Sequence, residues 1–214
     1  DQQKIGQAKV DPAYMASAKF TIQGEEFKVE RPVQELIVDP VKGEILSPIT
    51  ISPKTVFALS SNVVLLPKGS KVVKTIQISI TAMSALKPGA IDVKTNGTSI
   101  ALIPLKEGMK AGEKREWPIS FSESSLKEGK VTSNLQLHIN SGNDRWVDSL
   151  EIQTIEYAHI PTQRYFSPVN LSLLHIEFVK KGNLLGFIKG AGDKVPEGLQ
   201  QIGYEVDFLT EKDL

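Results

Sequence analysis

Residues 131–139 read VTSNLQLHI. Val131, Leu135, Leu137 and Ile139 take one parity, and Thr132, Asn134, Gln136 and His138 take the other. Side chains two apart in an extended chain share a sheet face, so this spelling predicts a half-buried antiparallel strand. Outward from it the period of two recurs. At 72–81, VVKTIQISIT sets Ile76, Ile78 and Ile80 against Thr75, Gln77 and Ser79. Segments 62–66, 99–105, 115–121 and 147–157 are further strand candidates. In the last, Leu150 and Ile152 share a parity that Ile155 and Tyr157 leave, which predicts a bulge near Gln153–Thr154. Turns bearing Gly or Pro separate the runs, among them Pro67-Lys-Gly, Asn96-Gly and Ser141-Gly-Asn. Seven to eight short strands with such turns in about 100 residues predict an immunoglobulin-like β-sandwich at 55–158. The fold class expected is therefore mainly β. The chain has no cysteine, so no inter-sheet disulfide pins the core, and Trp117 or Trp146 is the candidate filler.

Residues 1–54 are expected as an extended N-terminal β segment packing on the sandwich. Phe20 and Ile22, then Phe27 and Val29, flank Gln23-Gly-Glu-Glu, which predicts a hairpin. Pro32, Pro40, Pro48 and Pro53 interrupt the stretch from Arg31 to Lys54. Proline is confined to strand edges and ends, so this stretch predicts extended segments along the sandwich surface, with Asp39-Pro-Val-Lys-Gly as a turn.

Residues 159–214 change character. Residues 171–178 are strand-like. LLGFI at 184–188 is a continuous apolar run, as in a buried parallel strand. Lys189-Gly-Ala-Gly-Asp193 comes next, and then Val195, Leu199 and Ile202 at the spacing of one helical face. Asp193 is the expected N-cap, Pro196 lies in the first turn and Gly203 ends the helix. YEVDFL at 204–209 alternates as a strand. The result is a C-terminal β-α-β segment. Such a crossover needs further strands and helices to cover both sheet faces, so the sequence reads as a piece of a longer polypeptide, or else the unit packs against the sandwich and completes itself; its start, without Met or leader, reads as mature or cut.

Composition narrows the function classes. Of 214 residues, 25 are Lys or Arg and 25 are Asp or Glu, a formal net charge of zero. That argues against a nucleic-acid partner bound through bulk charge. No apolar run approaches the ~18 residues of a membrane span, so no membrane partner is expected. The lack of cysteine removes a thiol nucleophile, a cysteine zinc site and an iron–sulfur cluster. No cofactor is expected.

Three segments together carry a resemblance: DPVKGEILSP at 39–48, IEYAHIP at 155–161 and GFIKGAGDKVPEGLQQIGYEVDFL at 186–209. From about Ala13 onward the chain resembles the region downstream of the catalytic domain in large bacterial LmbE/PIG-L-type deacetylases. The resemblance implies an immunoglobulin-like sandwich followed by the start of an amidotransferase-like α/β domain. It implies a non-catalytic accessory region of an N-acetylglucosamine deacetylase, positioning the catalytic domain and contacting glycan. The partners implied are the deacetylase domain and the remaining α/β domain of the same polypeptide, with a secreted or periplasmic location. The family's chemistry does not carry over. Its zinc motif of the His-Pro-Asp-Asp type is missing, and the three histidines, His138, His159 and His175, stand beside no Asp. The alternative is a stand-alone carbohydrate- or protein-binding sandwich.

Five residues are candidates for ligand binding. Trp146, just past a Gly-Asn turn, could stack on a sugar or pack on the core. His159, before Ile160-Pro161, could bridge domains or simply stiffen an X-Pro corner. Gly190, Gly192 and Asp193 precede a predicted helix, where backbone N–H groups can meet an anion. They match no complete phosphate-binding pattern, so a tight strand-to-helix turn serves equally. No metal site and no catalytic residue is expected. No Gly-x-Ser-x-Gly elbow supports a serine nucleophile, and Glu25-Glu26 reads as a solvated turn.

Overall fold

Strands β1 (Met15–Ile22) and β2 (Glu25–Pro32) form the first hairpin of the computed structural model, with Phe20 opposite Phe27. Residues 11–41, 43–69, 73–122, 129–157, 160–190, 194–210 and 212–213 are described. The turn is Gln23-Gly24, with φ of 54° and 90°, the double left-handed geometry that matches the twist of flanking strands. The Val33 amide donates to the Tyr14 carbonyl at 2.9 Å and closes the hairpin's base. Ala18, Phe20, Ile22, Phe27 and Val29 share one face by register, and the two rings stack at 5.7 Å.

The proline-interrupted stretch is extended and turns after Asp39 as expected: β3 (Gln34–Asp39) and β4 (Gly43–Pro48) pair with each other. Pro40 sits in their turn, where the Asp39 carboxylate accepts from the Val41 amide at 2.8 Å. Pro32 and Pro48 stand at strand ends, the places where a missing N–H breaks no ladder.

The sandwich uses β5 (Thr55–Leu59), β6 (Val63–Pro67), β7 (Lys74–Ala82), β8 (Gly89–Thr95), β9 (Thr98–Leu105), β10 (Lys114–Phe121), β11 (Gly129–Ser141) and β12 (Asp144–Asp148). A hairpin, β13 (Leu150–Tyr157) with β14 (Ile160–Pro168), comes next, and then β15 (Asn170–Ile176). One sheet has the order β10-β7-β5. The other has the order β6-β15-β11-β8-β9, with β12 also on β11. Inward side chains of both sheets meet in one cluster that includes Phe57, Ile78, Ile80, Ile91, Leu105, Ile119, Leu135, Leu137, Ile139 and Leu171. The immunoglobulin-like sandwich is thus in place. Each of these side chains contributes on the order of 1.5–3 kcal/mol by leaving water. Trp117 and Trp146 pack against this cluster from its margin, partly buried; aliphatic side chains with Phe57 and Phe121 fill its centre.

The sandwich takes a strand from beyond residue 158. Strand β15 pairs with β11 over Gly129–Asn134, and β12 pairs with β11 over Leu137–Ser141. Between them the Leu135 amide donates to Val169 and the Val169 amide to Ser149. So β12 and β15 lie end to end on one edge of β11, and the chain leaves at Ser149 for the β13–β14 hairpin and returns at Val169. The parity change inside 147–157 falls here. Two compact units divide the chain: Asp1–Ser52 with Gln153–Tyr165, and Pro53–Ile152 with Phe166–Leu214. The Ile152/Gln153 step passes from one unit to the other, and beyond it Ile155 and Tyr157 are exposed.

The tail is the expected β-α-β. Strand β16 (Leu184–Ile188) pairs in parallel with β17 (Glu205–Leu209), joined through helix α1 (Val195–Gln201). Gly203 has φ of 95° just past the helix, as a C-terminal glycine should. Two details differ from the sequence reading. The helix buries Pro196 while Val195 is exposed. β16 is not a buried strand: Leu184 and Ile188 are exposed, because β17 is its only strand neighbour among the described residues.

Candidate functional site

Trp146 and Asp148 lie two apart on β12 and so project from the same face. Asp148 Oδ2 accepts from the Trp146 indole Nε1 at 2.8 Å, from the Thr55 backbone amide at 2.9 Å and from the Thr55 hydroxyl. Lys54 Nζ stands 4.7 Å from the centroid of the Trp146 ring. Thr55 begins β5, in the three-stranded sheet, while Asp148 ends β12, in the other sheet. One carboxylate oxygen therefore ties the two layers together, at the place where the chain enters the sandwich. Charge-assisted hydrogen bonds of this kind are roughly twice as strong as neutral ones. The indole N–H is occupied and the ring meets a lysine, so Trp146 here works as a clamp component. A sugar stacking on the face that Lys54 covers would have to displace the ammonium.

Of the other predicted positions, Gly190 alone is among the described residues. His159, Gly192 and Asp193 lie outside the described residues. Gly190 is exposed after β16. The residue before the helix is Lys194, with no side-chain cap hydrogen bond. Thr55, Lys54 and Asp148 were missed in the sequence reading. The i, i+2 spacing of Trp146 and Asp148 was available as a signal, but the contact with Thr55 spans the whole sandwich.

Elsewhere, charged side chains serve local structure. His138 stands opposite Asp92 in the register, and Ser99 donates its hydroxyl to Asp92 at 2.5 Å. That hydroxyl is spent on a carboxylate rather than offered to the imidazole, so the three do not form a nucleophilic relay. In the 106–113 loop, Glu113 accepts from the Lys110 amide at 2.8 Å and from Arg115 Nε at 2.7 Å. The Lys110 N–H, then the Arg115 side chain, hold the Glu113 carboxyl below the usual glutamate range. Thr210 does the same for Asp213, and burial lowers the Lys74 ammonium. Among the described residues no group of three or more His, Asp or Glu side chains converges as metal ligands. No helix of the described residues is long and apolar enough to cross a membrane.

No family model matches the chain, and no curated protein matches it. Among solved structures, AggA, the major subunit of aggregative adherence fimbriae type I from Escherichia coli, is similar at 7% identity. The match covers 60% of this chain and 99% of that one, with a TM-score of 0.26. At that score the likeness carries no argument about function.

Proposed function

We propose that this chain is a non-catalytic accessory region of a larger enzyme of the LmbE/PIG-L deacetylase type, and that it positions the catalytic domain. The β16-α1-β17 unit carries this reading. A parallel pair is stable when helices or sheets cover both its faces, yet Leu184, Ile188 and Phe208 are exposed. Those positions fit further α/β structure laid against the unit. The sandwich, with its own closed core, supplies the rigid body on which such structure would be mounted. Secretion or a periplasmic location belongs to the same reading.

The test is the size of the native polypeptide. An antibody against this chain, used on lysate and secreted fractions of the source cells, should mark a band several times larger than 23.5 kDa. A band at 23.5 kDa would overturn the accessory reading. Deacetylation of N-acetylglucosamine oligomers by this chain alone would also overturn it. A free-standing binding module is the second reading, favoured by Tyr157 and Tyr165, both exposed on the β13–β14 hairpin. A glycan-binding screen of the purified chain tests that one directly, and retention on no glycan would count against it.

A further inference from the structure

The outer edge of β6 is met by a side chain in the place of a further strand. On its inner edge β6 pairs in parallel with β15. On its outer edge Gln201 Oε1 accepts from the Leu65 amide at 2.8 Å, and Gln201 Nε2 donates to the Val63 carbonyl at 3.2 Å. Backbone groups two residues apart face the same edge, so these are the two groups an incoming strand would use. A primary amide carries a donor and an acceptor in one plane, as a peptide group does. Gln201 thus stands in for one peptide of an absent strand. The rest of this edge is also blunted. The Ser61 hydroxyl donates to the Val63 carbonyl at 2.7 Å and accepts from the Val63 amide, and Pro67 has no N–H to offer.

We propose that Gln201 is a clasp: its single amide fixes the β16-α1-β17 module to the sandwich and closes β6 against strand addition by a second copy of the chain. A short apolar edge, VVLLP, invites pairing when bare. A second copy is the natural occupant, because two identical edges pair antiparallel about a twofold axis with no further complementarity.

Amide hydrogen exchange and sedimentation of the full chain test this. Gln201→Ala should speed exchange at Leu65 about fivefold or more, the equivalent of one net hydrogen bond. Ile78 and Leu137 in the core should keep their wild-type rates, and the variant should dimerise where the wild type stays monomeric. Gln201→Glu, when ionised, is acceptor-only and sets a carboxylate oxygen against the Val63 carbonyl, a repulsion that should push the side chain off the edge and bare the Leu65 amide. Relative to wild type at the same pH, its Leu65 protection should recover as pH falls through the ordinary glutamate range near ~4.3, where the protonated acid donates again. If the alanine variant does not fold, shown by lost Ile78 protection, that pH dependence decides alone. Unchanged Leu65 exchange in the alanine variant, or a flat pH response in the glutamate variant, overturns the clasp. Faster Leu65 exchange in a variant that stays monomeric overturns the closing of the edge.

Discussion

Ile78 and Ile22 sit in strands with the same kind of alternation, yet one is 0% exposed and the other 55%. Ile78 is on β7, which has β5 on one side, β10 on the other and a second sheet across the core. Ile22 is on β1, whose one strand partner among the described residues is β2. A period of two decides which side chains share a face. It does not decide whether anything covers that face; the number of strands and the presence of an opposing layer do.

The sharpest test of that contrast is a matched pair of truncations. Ile78→Ala should destabilise the sandwich by about 3–4 kcal/mol, since it leaves a cavity. Ile22→Ala should cost less than about 1 kcal/mol. Urea denaturation followed by circular dichroism reads both, and equal losses would erase the distinction. Next is Gly89→Ala. An added Cβ would lie 2.0 Å from the Asn140 carbonyl oxygen, so β8 and β11 must separate, at about 3 kcal/mol. Gly24→Ala, in the β1–β2 turn, meets nothing within 4 Å, and only its φ of 90° opposes it; it should cost nearer ~1 kcal/mol.

Asp148→Ala removes the acceptor of the clamp and should cost about 2 kcal/mol, with a changed near-ultraviolet signal from Trp146. An unaltered Trp146 signal would mean that the carboxylate does not hold the indole. The smallest effect belongs to Glu113. Its folded-state pKa is depressed, so its stabilisation is present above the unfolded glutamate value and is lost as pH falls through the folded one. An NMR titration should place its midpoint below the usual ~4.3, and Arg115→Ala should move it up. A midpoint at the ordinary value would remove this loop from the features that distinguish the sandwich.

Much of this was legible in the residues. Leu135, Leu137 and Ile139 are buried as VTSNLQLHI implied, and so are Ile76, Ile78 and Ile80. The hairpin turns at Gln23-Gly24 and Asn96-Gly97 both show the positive φ that their glycines suggested. The parallel pairing of LLGFI also accords with its spelling. What could not be read is long-range. The strand at 170–176 looks like part of the tail, because nothing local says that an inserted hairpin separates it from β12. The Asp148 clamp joins residues 93 apart, and periodicity carries no information over that distance. Of the two described candidate ligand residues, Trp146 and Gly190, Trp146 falls into a built arrangement, and the lysine over its ring was invisible to any local pattern.

The parallel pairing of β6 with β15 has a consequence in time. It joins Val63 to Ser172, a separation of 172 − 63 = 109 residues. Closing so long a loop must precede the contacts that reward it, and domains dominated by such pairings fold in milliseconds to seconds. The inserted hairpin lengthens that loop at little further cost, because a doubling of length adds only about 0.6 kcal/mol. The β7–β10 and β8–β11 ladders can form well before the chain reaches Asn170. Strand β6 therefore waits longest for its partner, and during synthesis it emerges more than 100 residues before the segment that will hold it.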